Sequence, residues 1–169
     1  MPQSGPDDGF LPRGSQFSES TVAILRSRAR EGAMSRINAN PLQGLRMLIA
    51  EDNFLIGEAM REILIDLECS VVGPIDDLDE VLSAIHASDI EGALLDVQLG
   101  EANILPAASE LAARGIPFIL TTGRGSLADL PALLANAPLL TKPFDARRLE
   151  TMMMSDAFLA RIGEARRRH

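Results

Sequence analysis

The chain has no tryptophan, no tyrosine, one cysteine and one lysine, and each shortage excludes something. The single cysteine, Cys69, rules out an internal disulfide and any multi-cysteine metal centre, so it reads as a small buried hydrophobe. No run of 18 or more apolar residues occurs, so no membrane-spanning helix is predicted. The opening Met1-Pro2-Gln3-Ser4-Gly5 lacks the basic start and apolar core of a secretory signal. A cytoplasmic location is therefore the expectation. Basic character is also missing where a nucleic-acid binder would need it. Residues 45–154 carry 18 acids against seven cations, a net charge of −11, which repels phosphate backbones. Residues 1–44 are near balance at +1, and residues 155–169 reach +2 through a terminal Arg166-Arg167-Arg168.

What is present is an ordinary globular composition, 46% hydrophobic and 24% charged over 169 residues, enough for one domain with tails. Residues 1–18 are rich in Pro, Gly, Ser and Asp and predict disorder. A helical pattern is possible over 20–38, and Asn40-Pro41 ends it. From residue 45 the pattern becomes regular. Met47–Ala50, Ser70–Val72, Ala93–Val97, Pro117–Thr121 and Leu139–Thr141 are short apolar runs, which read as strands buried on both faces. Between them lie helical periodicities over 54–67, 78–85, 105–114 and 127–137, the last interrupted by Pro131. Gly115 suits the left-handed cap of the third helix. A final helix starts near Asp145, and it either continues to about Glu164 or restarts at Ser155-Asp156. Strands alternating with helices predict an open parallel α/β sheet of the flavodoxin-like, doubly wound kind, with strand order 2-1-3-4-5. The domain is expected over 45–154, preceded by an extension at 1–44 and followed by a helical extension with a basic end at 155–169.

Ligands of such sheets sit beyond the carboxyl ends of the strands. There the first strand supplies Glu51 and Asp52, the third Asp96, the fourth Thr122 and the fifth Lys142. Taken alone, Asp96 is either a structural cap or the reactive group. Three crowded carboxylates repel one another unless a cation sits among them, and hard oxygens with open positions suit Mg²⁺. A hydroxyl and an ammonium opposite them suit a phosphoryl group. Lys142 is the only lysine among 16 cationic residues, a compact charge in a chain that otherwise uses arginine.

In order and spacing, Leu48-Ile49-Ala50-Glu51-Asp52-Asn53, Leu94-Leu95-Asp96-Val97, Thr122-Gly123 and Thr141-Lys142-Pro143 resemble the response-regulator receiver domain of bacterial two-component signalling. The resemblance covers about residues 45–154. It implies that Asp96 accepts a phosphoryl group from a phosphohistidine on a sensor kinase or phosphotransfer protein. It implies that Glu51, Asp52, Asp96 and the backbone carbonyl of Gln98 hold Mg²⁺, and that Thr122 and Lys142 bind the phosphoryl oxygens. In similar receivers Gln98 and Arg124 occupy positions that tune phosphoryl lifetime. The switch pair would be Thr122 and Leu139, and Leu139 stands where many receivers carry an aromatic. Pro117-Phe118-Ile119-Leu120-Thr121-Thr122-Gly123 with Leu130-Pro131 also resembles a subgroup of stand-alone receivers with a Phe-Ala-Thr-Gly pattern, of which the Thr-Gly is kept, and Pro131 inside a helical pattern together with Leu139 suggests signalling through reordering of 123–137. With about 15 residues after the receiver, the expectation is a stand-alone protein acting through contact with an unknown downstream protein or as a phosphoryl relay. It is expected to bind neither nucleic acid nor membrane, to be able to form oligomers, and to catalyse only its own phosphorylation and dephosphorylation. Two rivals remain open: an aspartyl-phosphate phosphatase or phosphotransferase, disfavoured by Gln98 where such enzymes need a second acid, and a receiver-shaped binding module that is never phosphorylated.

Overall fold

The computed structural model describes residues 40–123, 134 and 137–167. The disorder expected over 1–18, the helix at 20–38, most of the helix at 127–137, Arg124 and Arg168 lie outside that range. Within it the chain runs β1 (Arg46–Ala50), α1 (Phe54–Asp66), β2 (Ser70–Ile75), α2 (Leu78–Ala87), β3 (Gly92–Asp96), a two-stranded ribbon of β4 (Gln98–Leu99) and β5 (Ala102–Asn103), α3 (Leu105–Ala113), β6 (Phe118–Thr122), β7 (Leu139–Thr141), α4 (Ala146–Met153) and α5 (Asp156–Arg166). The sheet order is β2-β1-β3-β6-β7 with every pairing parallel, the 2-1-3-4-5 arrangement expected when the ribbon is set aside.

The unbroken apolar character of the strands follows from helices on both faces. Side chains alternate along a strand, so each strand divides its residues between two layers. Leu48, Ala50, Ala93, Leu95, Phe118 and Leu120 pack with Val81 and Ile85 of α2 and with Ala107, Ala108 and Leu111 of α3. Met47, Ile49, Leu94, Ile119 and Leu140 pack with Met60 and Leu64 of α1, Leu149 and Met153 of α4, and Phe158 and Ile162 of α5. Leu42 and Leu45, just ahead of β1, are sunk in this second layer. Asn40 holds that segment in place, donating from its side chain to the carbonyl of Leu67 at 2.9 Å.

Helix ends follow local chemistry. Asn53, Asp77, Asp145 and Ser155 each cap a helix by accepting from backbone N–H groups in its first turn. The cap at Ser155 decides the question left open by periodicity: the C-terminal helix breaks after Met153 and restarts as α5. Gly115 has φ +72°, and the N–H of Ile116 returns to the carbonyl of Leu111 at 2.9 Å, the left-handed ending expected of α3.

The carboxyl ends of three strands moved. β2 extends to Ile75, where Gly73-Pro74 was expected to close it. The chain instead passes through Gly73 at φ +100°, where a Cβ would lie 2.6 Å from the carbonyl oxygen of Ile49, and pairing resumes at Ile75 with Ala50. β3 ends at Asp96, one residue early: the N–H of Val97 still donates to the Thr121 carbonyl at 2.9 Å, but the chain bends there and continues into the ribbon. β6 runs to Thr122, so that residue belongs to the strand itself. Among the described residues no helix is long and apolar enough to cross a membrane.

Helix α5 is part of the core. Phe158 is 3% exposed and packs where a side chain at Gly92 of β3 would otherwise reach. At its end Arg166 pairs with Glu91, whose other oxygen accepts from the N–H of Arg46 at 3.0 Å. Truncating a buried phenylalanine removes its transfer free energy and leaves a cavity. Phe158→Ala is therefore expected to lower the unfolding free energy by about 3–5 kcal/mol in urea titration. An unchanged midpoint would place α5 outside the cooperative unit.

Candidate functional site

All the strand-end residues singled out in the sequence and lying in the described range meet at one edge of the sheet. Pairing of Ala50 with Leu95 brings Glu51, one residue on, beside Asp96, and Asp96 is itself in register with Thr121. Thr122 is in register with Thr141, and the N–H of Lys142 donates to the Thr122 carbonyl at 2.7 Å. Strand alternation then puts Glu51, Asp96 and Thr121 on the face that carries α1, α4 and α5. Lys142 is two residues beyond Leu140 and shares that face.

Glu51 is 2% exposed and Asp96 7%, while Asp52 is exposed at the mouth. Lys142 joins the two buried acids. Its ammonium donates to Glu51 Oε2 and, at 2.6 Å, to Asp96 Oδ2. The other oxygen of each buried acid, and one of Asp52, accept from backbone N–H groups. Asp96 Oδ1 accepts from Gln98 at 3.2 Å, Glu51 Oε1 from Asn53 at 3.3 Å, and Asp52 Oδ2 from Gly100 at 3.1 Å. The ribbon thus does structural work at the site, since its turn at Gly100 fixes Asp52 across the crevice. Burial pushes the Glu51 carboxyl above its ordinary range and the adjacent Asp96 charge adds to that, while the hydrogen bond and charge of Lys142 pull against them.

The three acids can offer one oxygen each within 4.8 Å of one another. Octahedral Mg²⁺ with bonds of about 2.1 Å needs its oxygens about 3–4 Å apart. A small contraction of this cluster therefore meets the requirement, and a hard, all-oxygen donor set suits that ion. The side chain of Gln98 is exposed and donates to the carbonyl of Gly100 at 3.2 Å. Leu139 is half-buried in the layer that holds α2 and α3, on the far side of the sheet from the ion pair.

Two participants were not found by sequence reasoning. Gly100 had no signal beyond ending the apolar stretch. Thr121 did carry one, being the first polar residue of an apolar strand, but the neighbouring Thr122 accounted for it equally well. In the structure Thr121 is fully buried, and its hydroxyl has no hydrogen-bond partner among the described residues.

A sequence profile of the response regulator receiver domain matches residues 47–154. No curated protein matches the chain significantly. Among solved structures, SdrG from Sphingomonas melonis Fr1 is 33% identical, with a TM-score of 0.60 over 71% of this chain and 98% of its own. The receiver domain of the sensor histidine kinase PA1611 from Pseudomonas aeruginosa PAO1, which has a magnesium ion coordinated in its active-site cleft, is 22% identical, with a TM-score of 0.60 over 69% of this chain and 98% of its own. A CheY-like receiver from Methanospirillum hungatei JF-1 is 22% identical, with a TM-score of 0.59 over 73% of this chain and 98% of its own.

The ion pair makes two measurable demands. Lys142→Met leaves two buried carboxylates facing each other, and removing one partner of a buried pair costs about 3–5 kcal/mol. The loss should appear in urea unfolding at neutral pH without added divalent cations, and a variant as stable as wild type would show that the pair contributes nothing. The second concerns pH. Folded Glu51 holds its proton to higher pH than the unfolded chain does, so between the ordinary value of 4.5 and its raised folded value the folded state binds more protons. Its contribution to stability therefore falls as pH rises through that window. The difference in stability between wild type and Glu51→Gln should slope accordingly, and parallel pH profiles would contradict the assignment.

Proposed function

The chain belongs to the response regulator receiver family of two-component signalling, and from that premise we propose that Asp96 takes a phosphoryl group from a phosphohistidine on a sensor kinase or phosphotransfer protein. The observation that supports this most is the placement of Asp96. It is a nearly buried carboxylate at the carboxyl edge of the sheet, bonded to the chain's only lysine and flanked by two further acids.

The step is an in-line displacement. A carboxylate oxygen of Asp96 attacks phosphorus, the O–P bond forms as the P–N bond breaks, and the imidazole leaves with the bonding electron pair. The backbone N–H of Gln98 fixes the rotation of the carboxylate, which limits the conformations from which attack occurs. Before transfer Lys142 is engaged by Asp96 and Glu51. As Asp96 becomes an acyl phosphate its carboxylate charge is lost, and the ammonium moves to the phosphoryl oxygens. Thr122, at the end of β6, supplies a hydroxyl to the same group. Glu51, Asp52, Asp96 and the Gln98 carbonyl are the groups that would hold Mg²⁺, which supplies charge neutralisation on the phosphoryl oxygens when bound. Magnesium in the cleft of the PA1611 receiver supports the same choice here.

Removal of the phosphoryl group uses water. Gln98, two residues past the acceptor, is an exposed amide tied to Gly100, and an amide N–H is far too weak an acid to serve as a general acid. This favours a slowly hydrolysed acyl phosphate, a signal carrier rather than an enzyme acting on outside substrates. The phosphorylated protein then acts by contact with a downstream protein or passes the group onward.

Incubation with Mg²⁺ and acetyl phosphate should give one phosphoryl group per chain, seen by intact mass and lost on hydroxylamine treatment. Asp96→Asn should remain unlabelled, and chelation of the metal should stop labelling of the wild type. Equal labelling of both proteins, or none of the wild type, overturns the reading.

A further inference from the structure

Among the described residues three buried side chains are polar: Glu51, Asp96 and Thr121. They are not scattered. Glu51 follows the Ala50–Leu95 pair and so neighbours Asp96, Asp96 is in register with Thr121, and Thr121 with Leu140. The three form one polar row across β1, β3 and β6, on one face of the sheet, within an otherwise apolar core. Two of the three bind the Lys142 ammonium. The third, Thr121, is 0% exposed, and its hydroxyl is unpartnered.

Lys142 leaves from β7 two residues past Leu140, and its ammonium ends at Asp96 on β3. To do so its stem crosses the end of β6, the strand that carries Thr121. An ammonium has three protons to donate. Glu51 and Asp96 take two of them. An unbonded buried hydroxyl is unfavourable, and valine offers the same shape without that cost. A threonine here therefore has no benefit in the present arrangement.

We propose that Thr121 is a positioning residue for Lys142, its hydroxyl accepting the third ammonium proton once the ammonium has shifted from the Asp96 carboxylate to the phosphoryl group. Relief of the orphaned hydroxyl then favours the phosphorylated arrangement over the resting one. This rests on the reading of Asp96 as phosphoacceptor. It differs from the part proposed for Thr122, the last residue of β6, whose hydroxyl would meet the phosphoryl group itself at the sheet edge.

Lys142 is the only lysine, so a protein grown on isotope-labelled lysine gives one side-chain signal. Wild type, Thr121→Val and Thr121→Ser are compared with Mg²⁺ alone and then with beryllofluoride, a stable mimic of the acyl phosphate. Thr121→Val is expected to melt at or above the wild-type temperature before beryllofluoride is added. It should bind beryllofluoride about fivefold more weakly, the worth of one hydrogen bond, with a displaced Lys142 signal in the bound form. Thr121→Ser, which keeps the hydroxyl, should restore both affinity and signal. Wild-type affinity and signal in Thr121→Val, a loss shared by Thr121→Ser, or a Thr121→Val protein less stable before ligand each overturn the proposal. A wild type that does not respond to beryllofluoride overturns instead the assignment of Asp96.

Discussion

A lysine ammonium held between two buried carboxylates has little water to replace either partner, so its geometry is imposed on everything around it. Glu51 arrives from β1, Asp96 from β3 and Lys142 from β7, and these meet only if the strands lie in one order and one register. A slip of one residue in any strand would turn its polar end group to the opposite face. The apolar layers on the two faces of the sheet prevent that slip. Met47, Ile49 and Leu94 on one side, and Leu48, Ala50 and Leu95 on the other, each have a helix to pack against. The polar edge is thus precise because the core beneath it is sealed on both sides.

The proposed phosphoryl transfer would act on this same pair. At rest one cation serves two acids, and the burial of Glu51 keeps its carboxyl above the ordinary range despite that cation. A group that brings its own oxygens, or a metal that takes over the carboxylates, competes for the same few partners. Backbone N–H groups from Gln98 and Asn53 hold the other oxygens of the two buried acids, so the competition falls on Lys142. Movement of the lysine is the economical response, since its stem is the flexible part of the cluster.

For the proposed signalling role, two contacts lead away from the site. One is the carbonyl of Thr122, which accepts from the Lys142 backbone and ties the end of β6 to β7. The other is Leu139, which begins β7 and packs into the layer with α2 and α3. A chain with no tyrosine or tryptophan cannot use a large polar aromatic at that place, and leucine offers packing without a hydroxyl. On the opposite layer α4 and α5 share one apolar surface, broken at Ser155 and continuous through Met153 and Phe158. The folded unit therefore extends past residue 154, where the receiver profile ends.

The sequence by itself determined the class of fold and the identity of the strand-end groups. Short apolar runs separated by helical periodicity are local patterns, and Glu51, Asp52, Asp96, Thr122 and Lys142 all lie at the carboxyl ends of such runs. Capping by Asn53, Asp77, Asp145 and Ser155 is equally local, as is the left-handed ending at Gly115. Tertiary structure alone decided what those patterns cannot encode. Whether the last helix continued or restarted turned on a cap competing with an apolar stripe, and Ser155 with the packing of Phe158 settled it. The extension of β2 to Ile75 depended on Gly73 fitting against Ile49, a contact between separate strands. The ribbon at 98–103 and its hold on Asp52 join residues 48 positions apart. Above all, Thr121 looked like its neighbour Thr122 until the sheet register set it beside Asp96. Periodicity says which way a side chain points, but only the pairing of strands says what it meets there.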